Sequence, residues 1–377
     1  MPWKISGTKN STARIIVFEE TDWSIVYNAV ISGSGSYEVD GLNARAKTII
    51  AETTSGELLG YGDVSPEYYI IPARGVFAGG RETGDPYNII EYITITTPGN
   101  ASDFGDLTLA RYVLVATSNG ASDRGVFAGG QVSASYYNIM DYITISTTGD
   151  ATDFGDLLEP MGGHNVCSNG INDRGLFSGG STSKNVLVYI TISSTGNATD
   201  FGNMSYEVYF HTSFSNGTNN RGIIAGGDTD EGGGAGGRSN TISYVTISTP
   251  GNSTDFGDLN NTLMYLAATS NGTNNRGVVS GGSYNVNYYQ SVNVIDYITI
   301  TSTGNATDFG DLPVAKRDHT STSNMTNNRG VFAGGYDAVG PNHLNNIEYI
   351  TISSLGNATD FGDLTVARYG LSATSNA

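Results

Sequence analysis

The feature that most constrains this sequence is an internal repeat. The string Arg-Gly-(Val/Leu/Ile)-x-(Ala/Ser)-Gly-Gly occurs six times, beginning at Arg74, Arg124, Arg174, Arg221, Arg276 and Arg329. A second string, (Thr/Ser)-Asp-Phe-Gly, follows each copy, with its aspartate at Asp103, Asp153, Asp200, Asp255, Asp308 and Asp360. Because the two strings stay in step, each period of about 50 residues is predicted to be one structural unit.

Each period is predicted to contain four β-strands, a to d. Apolar and polar residues alternate with a period of two between Gly, Asn and Asp, and helical periodicity is absent. In the second unit, strands a, b and c are predicted at 112–118, 124–128 and 139–146, with strand d starting near Asp156 after a turn at 148–155. Four antiparallel strands repeated radially form the blade of a β-propeller.

The order of these markers resembles that of kelch repeats. An apolar strand ends in Gly-Gly, a strand with a tyrosine follows, and a short aromatic-containing segment closes the unit. The resemblance covers about residues 74–377 and implies a propeller, without implying a kelch-specific partner. It departs from the kelch pattern where a tryptophan is common, since this chain has Phe104, Phe154, Phe201, Phe256, Phe309 and Phe361.

The two ends of the repeat array predict a closed ring. The first Arg-Gly strand, at Arg74, has no strand a before it, and residues 369–377 form a strand a with no strand b after it. We expect this last segment to complete the first blade beside residues 74–78, giving six blades. Truncation beyond about Val366 is then expected to open the ring.

Residues 1–70 lack both markers and are predicted to form a separate β domain. Short strands are expected at 3–6, 13–19, 24–31, 37–39, 48–53 and 58–61. Residues 35–42, followed by Ala46-Lys-Thr-Ile-Ile-Ala, resemble the carboxypeptidase-regulatory or transthyretin-like β-sandwich, which implies a docking or spacer module. The whole chain is thus predicted to be all-β: a small β-sandwich at 1–70 and a six-bladed kelch-like propeller at 71–377.

Composition disfavours several partners and cofactors. The chain has 18 basic and 36 acidic side chains, a net charge of -18, which repels nucleic acid and anionic membranes. Its one cysteine, Cys167, cannot form an intrachain disulfide, and no Cys/His spacing proposes a metal site. We therefore expect no metal and no cofactor. The start of the chain lacks the pattern of a signal peptide, and no apolar run is long enough to span a bilayer, so synthesis in the cytoplasm without membrane insertion is expected.

The repeated polar groups are predicted to be structural. A side chain that is repeated in every blade is expected to stabilise the blade. We therefore expect the repeated arginines to pair with carboxylates, and the aspartates and asparagines to cap turns. The Asn- and Asp-rich a–b turns have side chains that could ligate calcium, but the chemistry of tight hairpin turns explains them more simply.

Differences between the repeats fall on one face of the predicted ring, which we call the variable face. The b–c loops and the d–a crossings share this face and vary in length and chemistry, whereas the a–b and c–d turns of the opposite face hardly vary. Binding residues concentrate on loops held by a rigid scaffold, and tyrosines stack on sugars or anchor proteins. The predicted ligand-binding residues are Arg81, Tyr87, Tyr136, Tyr137, Tyr284, Tyr288, Tyr289, Arg317, His319, Tyr336 and His343.

The sequence contains no motif that is typical of a particular enzymatic reaction. An acidic, cysteine-poor chain with a small N-terminal module and a displayed repeat domain resembles the repeat-bearing virion proteins of tailed bacteriophages. This resemblance implies a non-enzymatic viral structural protein on the virion surface, as a fibre, tail-associated or capsid-decorating adhesin. The N-terminal domain is expected to bind other virion proteins, the variable face to bind a host-surface glycan or protein, and a homo-oligomer is possible.

Two alternatives remain open at this point. A carbohydrate-active propeller enzyme, similar to a sialidase or a polysaccharide lyase, needs carboxylates and arginines that converge at the channel mouth. The candidates for that role are Arg111, Glu159, Glu207, Arg317, Asp318 and Arg368. The other alternative is an intracellular kelch-type adaptor for protein–protein interaction.

Overall fold

The chain divides into two compact units, Met1–Pro72 and Ala73–Ala377, in a computed structural model. In the first unit the structure describes the backbone of six strands. In the second it describes residues 73–118, 123–168, 170, 172–180, 185–215, 220–229, 237–270, 275–284, 290–324, 328–340 and 343–376. These residues include strands, bridges and turns but no helix, and so none that could cross a membrane.

The strands of the first unit form two sheets. They are β1 (Trp3–Lys9), β2 (Ala13–Glu19), β3 (Ile25–Ile31), β4 (Gly35–Leu42), β5 (Ala46–Thr53) and β6 (Leu58–Asp63). β1 pairs with β4, and the second sheet has the order β3-β2-β5-β6. Six strands occur near the positions predicted from the sequence, and their packing into a sandwich stays a prediction.

The second unit is the predicted six-bladed β-propeller, with antiparallel sheets that repeat the order a-b-c-d. The a strands are β10 (Val115–Ser118), β15 (Asn165–Cys167), β19 (Thr212–Phe214), β23 (Ala267–Ser270), β27 (Thr320–Asn324) and β31 (Ser372–Ser375). The b strands are β7 (Arg74–Ala78), β11 (Arg124–Ala128), β16 (Arg174–Ser178), β20 (Arg221–Ala225), β24 (Arg276–Ser280) and β28 (Arg329–Ala333).

The two outer strands of each blade follow the same order. The c strands are β8 (Ile89–Thr94), β13 (Ser135–Thr144), β17 (Val186–Thr191), β21 (Thr241–Thr246), β25 (Val294–Thr299) and β29 (Asn346–Thr351). The d strands are β9 (Ser102–Asp106), β14 (Thr152–Met161), β18 (Thr199–Asn203), β22 (Thr254–Asp258), β26 (Thr307–Asp311) and β30 (Thr359–Asp363). We number the blades from the one that contains β7 to the one that contains β28.

The ring closes as the sequence predicts. In blade 1, the last strand β31 pairs antiparallel with β7, so that Ser372 lies opposite Ala78 and Ser375 opposite Gly75. The a strands contact one another in a closed cycle around the axis. The two ends of the repeat array therefore share one sheet.

The Asp-Phe-Gly segment is part of strand d, which corrects its prediction as a turn. In blade 1, Asp103, Phe104 and Gly105 lie within β9, and the c–d ladder has an irregularity between Ile90 and Glu91. Phe104 is buried and meets Tyr92 edge to face at 6.0 Å. The polar composition of the segment suggested a turn, but these residues form an outer strand with one face on the core.

Blade 2 departs from the others on the variable face. Its strands β13 and β14 each have ten residues, and a short extra strand, β12 (Gln131–Val132), forms a hairpin with the start of β13. The repeat pattern predicts neither the extra strand nor the greater length.

The repeated arginines link neighbouring blades, but their partners are not carboxylates as predicted. Arg124 donates from Nη1 to the carbonyl oxygen of Ile192 in the next blade at 3.1 Å, and its guanidinium lies 4.4 Å from the ring centre of Tyr142. All six arginines repeat this arrangement, with the carbonyls of Ile145, Ile192, Ile247, Ile300, Ile352 and Ile95 as acceptors. A cation–π contact with a carbonyl bond satisfies the guanidinium without an acid.

Candidate ligand-binding site

A central channel of about 240 Å³ runs along the axis between the a strands. The wall near the a–b turns contains one serine from each blade: Ser118, Ser168, Ser215, Ser270, Ser323 and Ser375. Every second residue of an a strand faces the channel, so the repeated Ser of the sequence becomes a ring of hydroxyl groups.

The opposite end of the channel, on the variable face, is bounded by a ring that we call the collar. Each blade contributes one residue with φ between +48° and +66°: Val113, Gly163, Phe210, Tyr265, Asp318 and Gly370. At five of the six junctions the backbone N–H donates to the equivalent residue of the preceding blade, as from Tyr265 to Phe210 at 2.8 Å and from Asp318 to Tyr265 at 3.1 Å. Left-handed φ is uncommon outside glycine, and backbone strain of this kind clusters at functional sites.

Aromatic and guanidinium groups form a continuous arc around the collar, which we call the crescent. It crosses blades 2, 1, 6, 5 and 4 and consists of Tyr112, Arg81, Tyr369, His343, Tyr336, Arg317, Tyr265, Phe210 and Tyr209. Each member contacts the next, with ring or guanidinium separations from 3.9 to 5.8 Å. Side chains distant in sequence thus become one surface.

Arg81 fixes the crescent where blades 1 and 2 meet. Its Nε donates to the hydroxyl of Tyr369 at 2.5 Å, and its guanidinium lies 3.9 Å from the ring centre of Tyr112. The backbones of Arg81 and Tyr369 also exchange two hydrogen bonds at 3.0 Å, continuing the a–b ladder past Gly-Gly. The two rings therefore have defined positions before any ligand binds.

Blade 6 supplies the densest part of the crescent. The ring of His343 stacks on Tyr369 with centres 5.4 Å apart and an interplanar angle of 19°. Tyr336 meets His343 edge-on at 5.5 Å, and the guanidinium of Arg317 lies 4.5 Å from the ring centre of Tyr336. Tyr336, His343 and Tyr369 are half-buried, so part of each ring is open to solvent.

Asp318 is the one acidic residue among the six collar residues. Its side chain is 11% exposed, and one carboxylate oxygen lies 3.6 Å from Nη1 of Arg317. Burial raises the pKa of Asp318 to about 6, although Arg317 and Arg81 both act to lower it. Asp318 is therefore mostly ionised at neutral pH and sits beside two cations.

The structure brings together four of the residues predicted from the sequence, namely Arg81, Arg317, Tyr336 and His343. The ring of Tyr136 packs over Gly162, at the gap where blade 3 adds no aromatic side chain to the crescent. The predicted residues outside the crescent on the b–c segments of blades 1, 2 and 5 are Tyr87, Tyr137 and Tyr284. Tyr288 and Tyr289 lie outside the described residues.

The imidazole of His319 does not lie on the variable face, contrary to the sequence prediction, although the residue borders the axis beside the collar. Its imidazole is buried between blades 5 and 6, with Nε2 at 2.9 Å from the hydroxyl of Ser280. His319 follows Asp318 at the start of strand a, and its side chain points away from the axis into the blade interface.

Five crescent residues were missed by the sequence prediction. Tyr112, Tyr209, Phe210, Tyr265 and Tyr369 all come from d–a crossings, one or two residues before the Leu or His that precedes strand a. The prediction assigned the right kind of segment to this face but took its aromatic residues from the b–c loops. An alignment of the six d–a crossings on the Leu or His that precedes strand a would have revealed these aromatic residues at matching positions.

Two arginines proposed for the enzyme alternative are inside the blades. Arg111 pairs with Asp141 at 2.7 Å and Arg368 with Glu91 at 2.5 Å, and the side chains of both pairs are fully buried. Lys316 pairs in the same way with Glu348 in blade 6. Of the proposed catalytic residues, Arg317 and Asp318 meet at the channel mouth. Glu159 is half-buried within β14, and Glu207 is exposed on the d–a crossing that follows blade 3.

Three histidines occupy equivalent wedge positions between blades. The residue immediately before strand a is a leucine in three blades and His164, His211 or His319 in the others. Burial lowers the pKa of His164 and of His211 to about 3, so these imidazoles are neutral. In the same region burial raises the pKa of Cys167 to about 12, which makes its thiol unreactive.

Among the described residues, no three His, Cys, Asp or Glu side chains lie close enough together to hold a metal ion. Comparison with known proteins adds no family to this geometry: the chain matches no protein-family model, and no curated protein is significantly similar to it in sequence.

Proposed function

We propose that this protein is a non-enzymatic recognition protein that binds a host-surface glycan through the crescent. The observation that supports the proposal is that six nearly identical blades place different side chains at one mouth of the channel. Immediately before the collar residue they have Tyr112, Gly162, Tyr209, Met264, Arg317 and Tyr369. A scaffold that repeats its strands while varying its rim is typical of binding domains.

The chemistry of the crescent favours a carbohydrate over a protein ligand. Tyr112 is buried, but Tyr209, Tyr265, Tyr336 and Tyr369 are half-buried and present apolar ring surface with hydroxyl groups at their edges, which match the faces and edges of sugars. Arg81 and Arg317 are held against these rings, so donors stand beside each platform. A protein ligand is the competing outcome, supported by Val339, an apolar side chain that is 91% exposed on the b–c loop of blade 6.

The setting that we propose is the surface of a virion. The proposal rests on the acidic, cysteine-poor composition and on the division into a small first unit and a repeat unit, which suit separate docking and recognition roles on a particle. In this proposal Met1–Pro72 binds other virion proteins and the propeller faces the host. Immunogold labelling of particles with an antibody against the propeller tests the setting, since particles without label would contradict it.

Binding itself is tested with the full chain on an immobilised panel of bacterial surface polysaccharides and oligosaccharides, by biolayer interferometry. We expect Arg81→Ala and Tyr369→Ala to lose at least tenfold in affinity, because each removes one face of a preformed platform. Leu355→Ala is the matched control, since Leu355 is 59% exposed on the c–d turn of blade 6, at the opposite face.

The same panel separates the alternatives. Wild-type protein that binds no glycan, or crescent variants that bind like the wild type, would overturn the proposal. Binding to host cells that survives removal of glycans and disappears after protease treatment would favour a protein ligand. Release of shorter oligosaccharides or free sugars during incubation would show an enzyme.

A further inference from the structure

A small axial cavity of about 80 Å³ lies at the collar. The collar residues and the first residues of the a strands line it, including Tyr265, Asp318 and His319. This is more than the roughly 10–15 Å³ that one water needs, so the cavity can hold small polar groups such as hydroxyls. The cavity is not enclosed, so a group at the edge of a ligand on the crescent can enter it.

Several polar groups around the cavity have partners, whereas both ring nitrogens of His164 and Nδ1 of His211 and of His319 have none among the described residues. At five of the six junctions the backbone N–H of a collar residue donates to the C=O of the preceding collar residue. Asn165 donates from its side chain to the carbonyl oxygen of His211 at 3.0 Å, and the imidazole of His211 bonds to Ser178 at 2.8 Å. Within the described lining, Asp318 is the carboxylate and thus the strongest acceptor.

The surroundings of Asp318 select for hydrogen-bond donors without a negative charge. A carboxylate accepts hydrogen bonds from hydroxyl groups and repels another anion at close range. Arg317 pairs with Asp318 at 3.6 Å, and Arg81 also acts on it electrostatically, so both cations already face an acid. A ligand carboxylate or phosphate placed in the cavity would meet the Asp318 oxygens.

Aromatic platforms flank the same point. The guanidinium of Arg317 lies 4.5 Å from the ring centre of Tyr336 and 5.8 Å from that of Tyr265, so Asp318 sits next to two rings of the crescent. A sugar that stacks on such a ring directs its hydroxyl groups sideways, towards an acceptor at the edge of the platform.

From this arrangement we infer that the ligand is a neutral sugar whose hydroxyl-bearing edge enters the axial cavity, where Asp318 accepts its hydrogen bonds. This inference rests on the proposed glycan-binding function. It makes Asp318 the residue that discriminates neutral from acidic glycans, while Arg81 and the tyrosines bind the faces of the sugar.

The test compares wild type, Asp318→Asn and the control Asp85→Asn on paired oligosaccharides that end in a neutral hexose or in a sialic or uronic acid. Asp85 is exposed on the b–c loop of blade 1, so its variant removes an acid from the same face. We expect the wild type to prefer the neutral member of each pair and Asp318→Asn to bind it about 10- to 100-fold more weakly. Asp85→Asn should bind like the wild type.

The outcomes distinguish this inference from the proposed function. Glycan binding that is lost in Arg81→Ala but unchanged in Asp318→Asn, or that favours acidic sugars, would overturn the role of Asp318 and leave the crescent as the site. Absence of glycan binding by the wild type would overturn both. Thermal unfolding checks the fold of the variant, which we expect to be retained because burial already favours a neutral group at this position.

Discussion

The residue immediately before each strand a packs between two blades, and its identity leads to a prediction about the stability of the propeller. In three blades this residue is a leucine. It packs near the alanine that ends strand b of the preceding blade, as Leu114 does near Ala78. In two blades it is a histidine bonded to a serine at the same place, as for His211 and Ser178. At the remaining junction, His164 faces Ala128.

His164 therefore has the apolar surroundings that a leucine has at the equivalent position in three other blades. It is 3% exposed, and neither ring nitrogen has a hydrogen-bond partner among the described residues. Leaving buried polar groups unpaired costs about 1–3 kcal/mol. His164→Leu should accordingly raise the free energy of unfolding by about 1–3 kcal/mol at pH 7.5, provided that the leucine fits as its counterparts do.

The gain should grow as the pH falls. Burial lowers the pKa of His164 from 6.5 to about 3, so the unfolded chain binds a proton at this residue before the folded chain does. A depressed folded pKa gives stability that is present above about pH 6.5 and is lost as the pH falls towards about 3. At pH 5 the wild type should have lost about 2 kcal/mol at this residue, from 1.5 pH units at about 1.4 kcal/mol each.

The assay is urea unfolding of wild type, His164→Leu, Ala128→Ser and the double variant at pH 7.5 and pH 5. Ala128→Ser should also stabilise the fold, since it supplies the hydroxyl group that His211 and His319 already have. The double variant should gain less than the two single gains together, because it places leucine against serine. A less stable His164→Leu, or a stability difference that does not change with pH, would refute the reasoning.

Three further predictions concern what joins and closes the blades. Lys316→Met leaves Glu348 buried without its cation and should destabilise the propeller by about 3–5 kcal/mol; Lys316→Met with Glu348→Val should recover most of this in urea unfolding, and a double variant as unstable as the single one would contradict the account. Arg124→Met loses the bond to the Ile192 carbonyl and the ring contact, and should cost about 1–3 kcal/mol by thermal unfolding, whereas an unchanged melting temperature would argue against this link. Deletion of residues 369–377 removes β31 and should expose β7 to rapid amide exchange, so wild-type protection of β7 would show that the ring does not depend on β31.

The repeat period made the propeller predictable. A spacing that places Arg-Gly and Gly-Gly at the same points of every unit requires the same local structure six times, and the predicted strand b at 124–128 coincides with β11. The orphan segment at 369–377 could be assigned to blade 1 because nothing else in the chain offered it a partner strand.

The errors arose where local composition conflicts with the tertiary setting. Asp, Gly and Thr favour turns, yet Asp-Phe-Gly forms strand d because Phe104 and its equivalents pack on the blade while the polar residues face solvent. The repeated arginines suggested acid partners, but the closest acceptor across each blade interface is a backbone carbonyl, and no pattern of side chains reveals that.

The candidate site was predictable in its location more than in its members. Variation between loops indicated the face on which Arg81, Tyr336 and His343 lie. Their contact with Tyr112 and Tyr369 depends on how the d–a crossings bend at the collar, where left-handed residues turn the chain. His319 shows how precise such a prediction would have to be: Asp318 lies in the collar, and His319, the next residue, has its side chain buried between two blades.

The most direct test of the account is to locate the bound glycan on the protein. Hydroxyl-radical footprinting of the full chain, with and without an oligosaccharide that the wild type binds, measures the protection of each tyrosine. We predict that Tyr336 and Tyr369 become protected and that Leu355, on the opposite face, does not. Protection of Leu355 or of residues 1–72, with Tyr336 and Tyr369 unchanged, would contradict the claim that the crescent is the binding site.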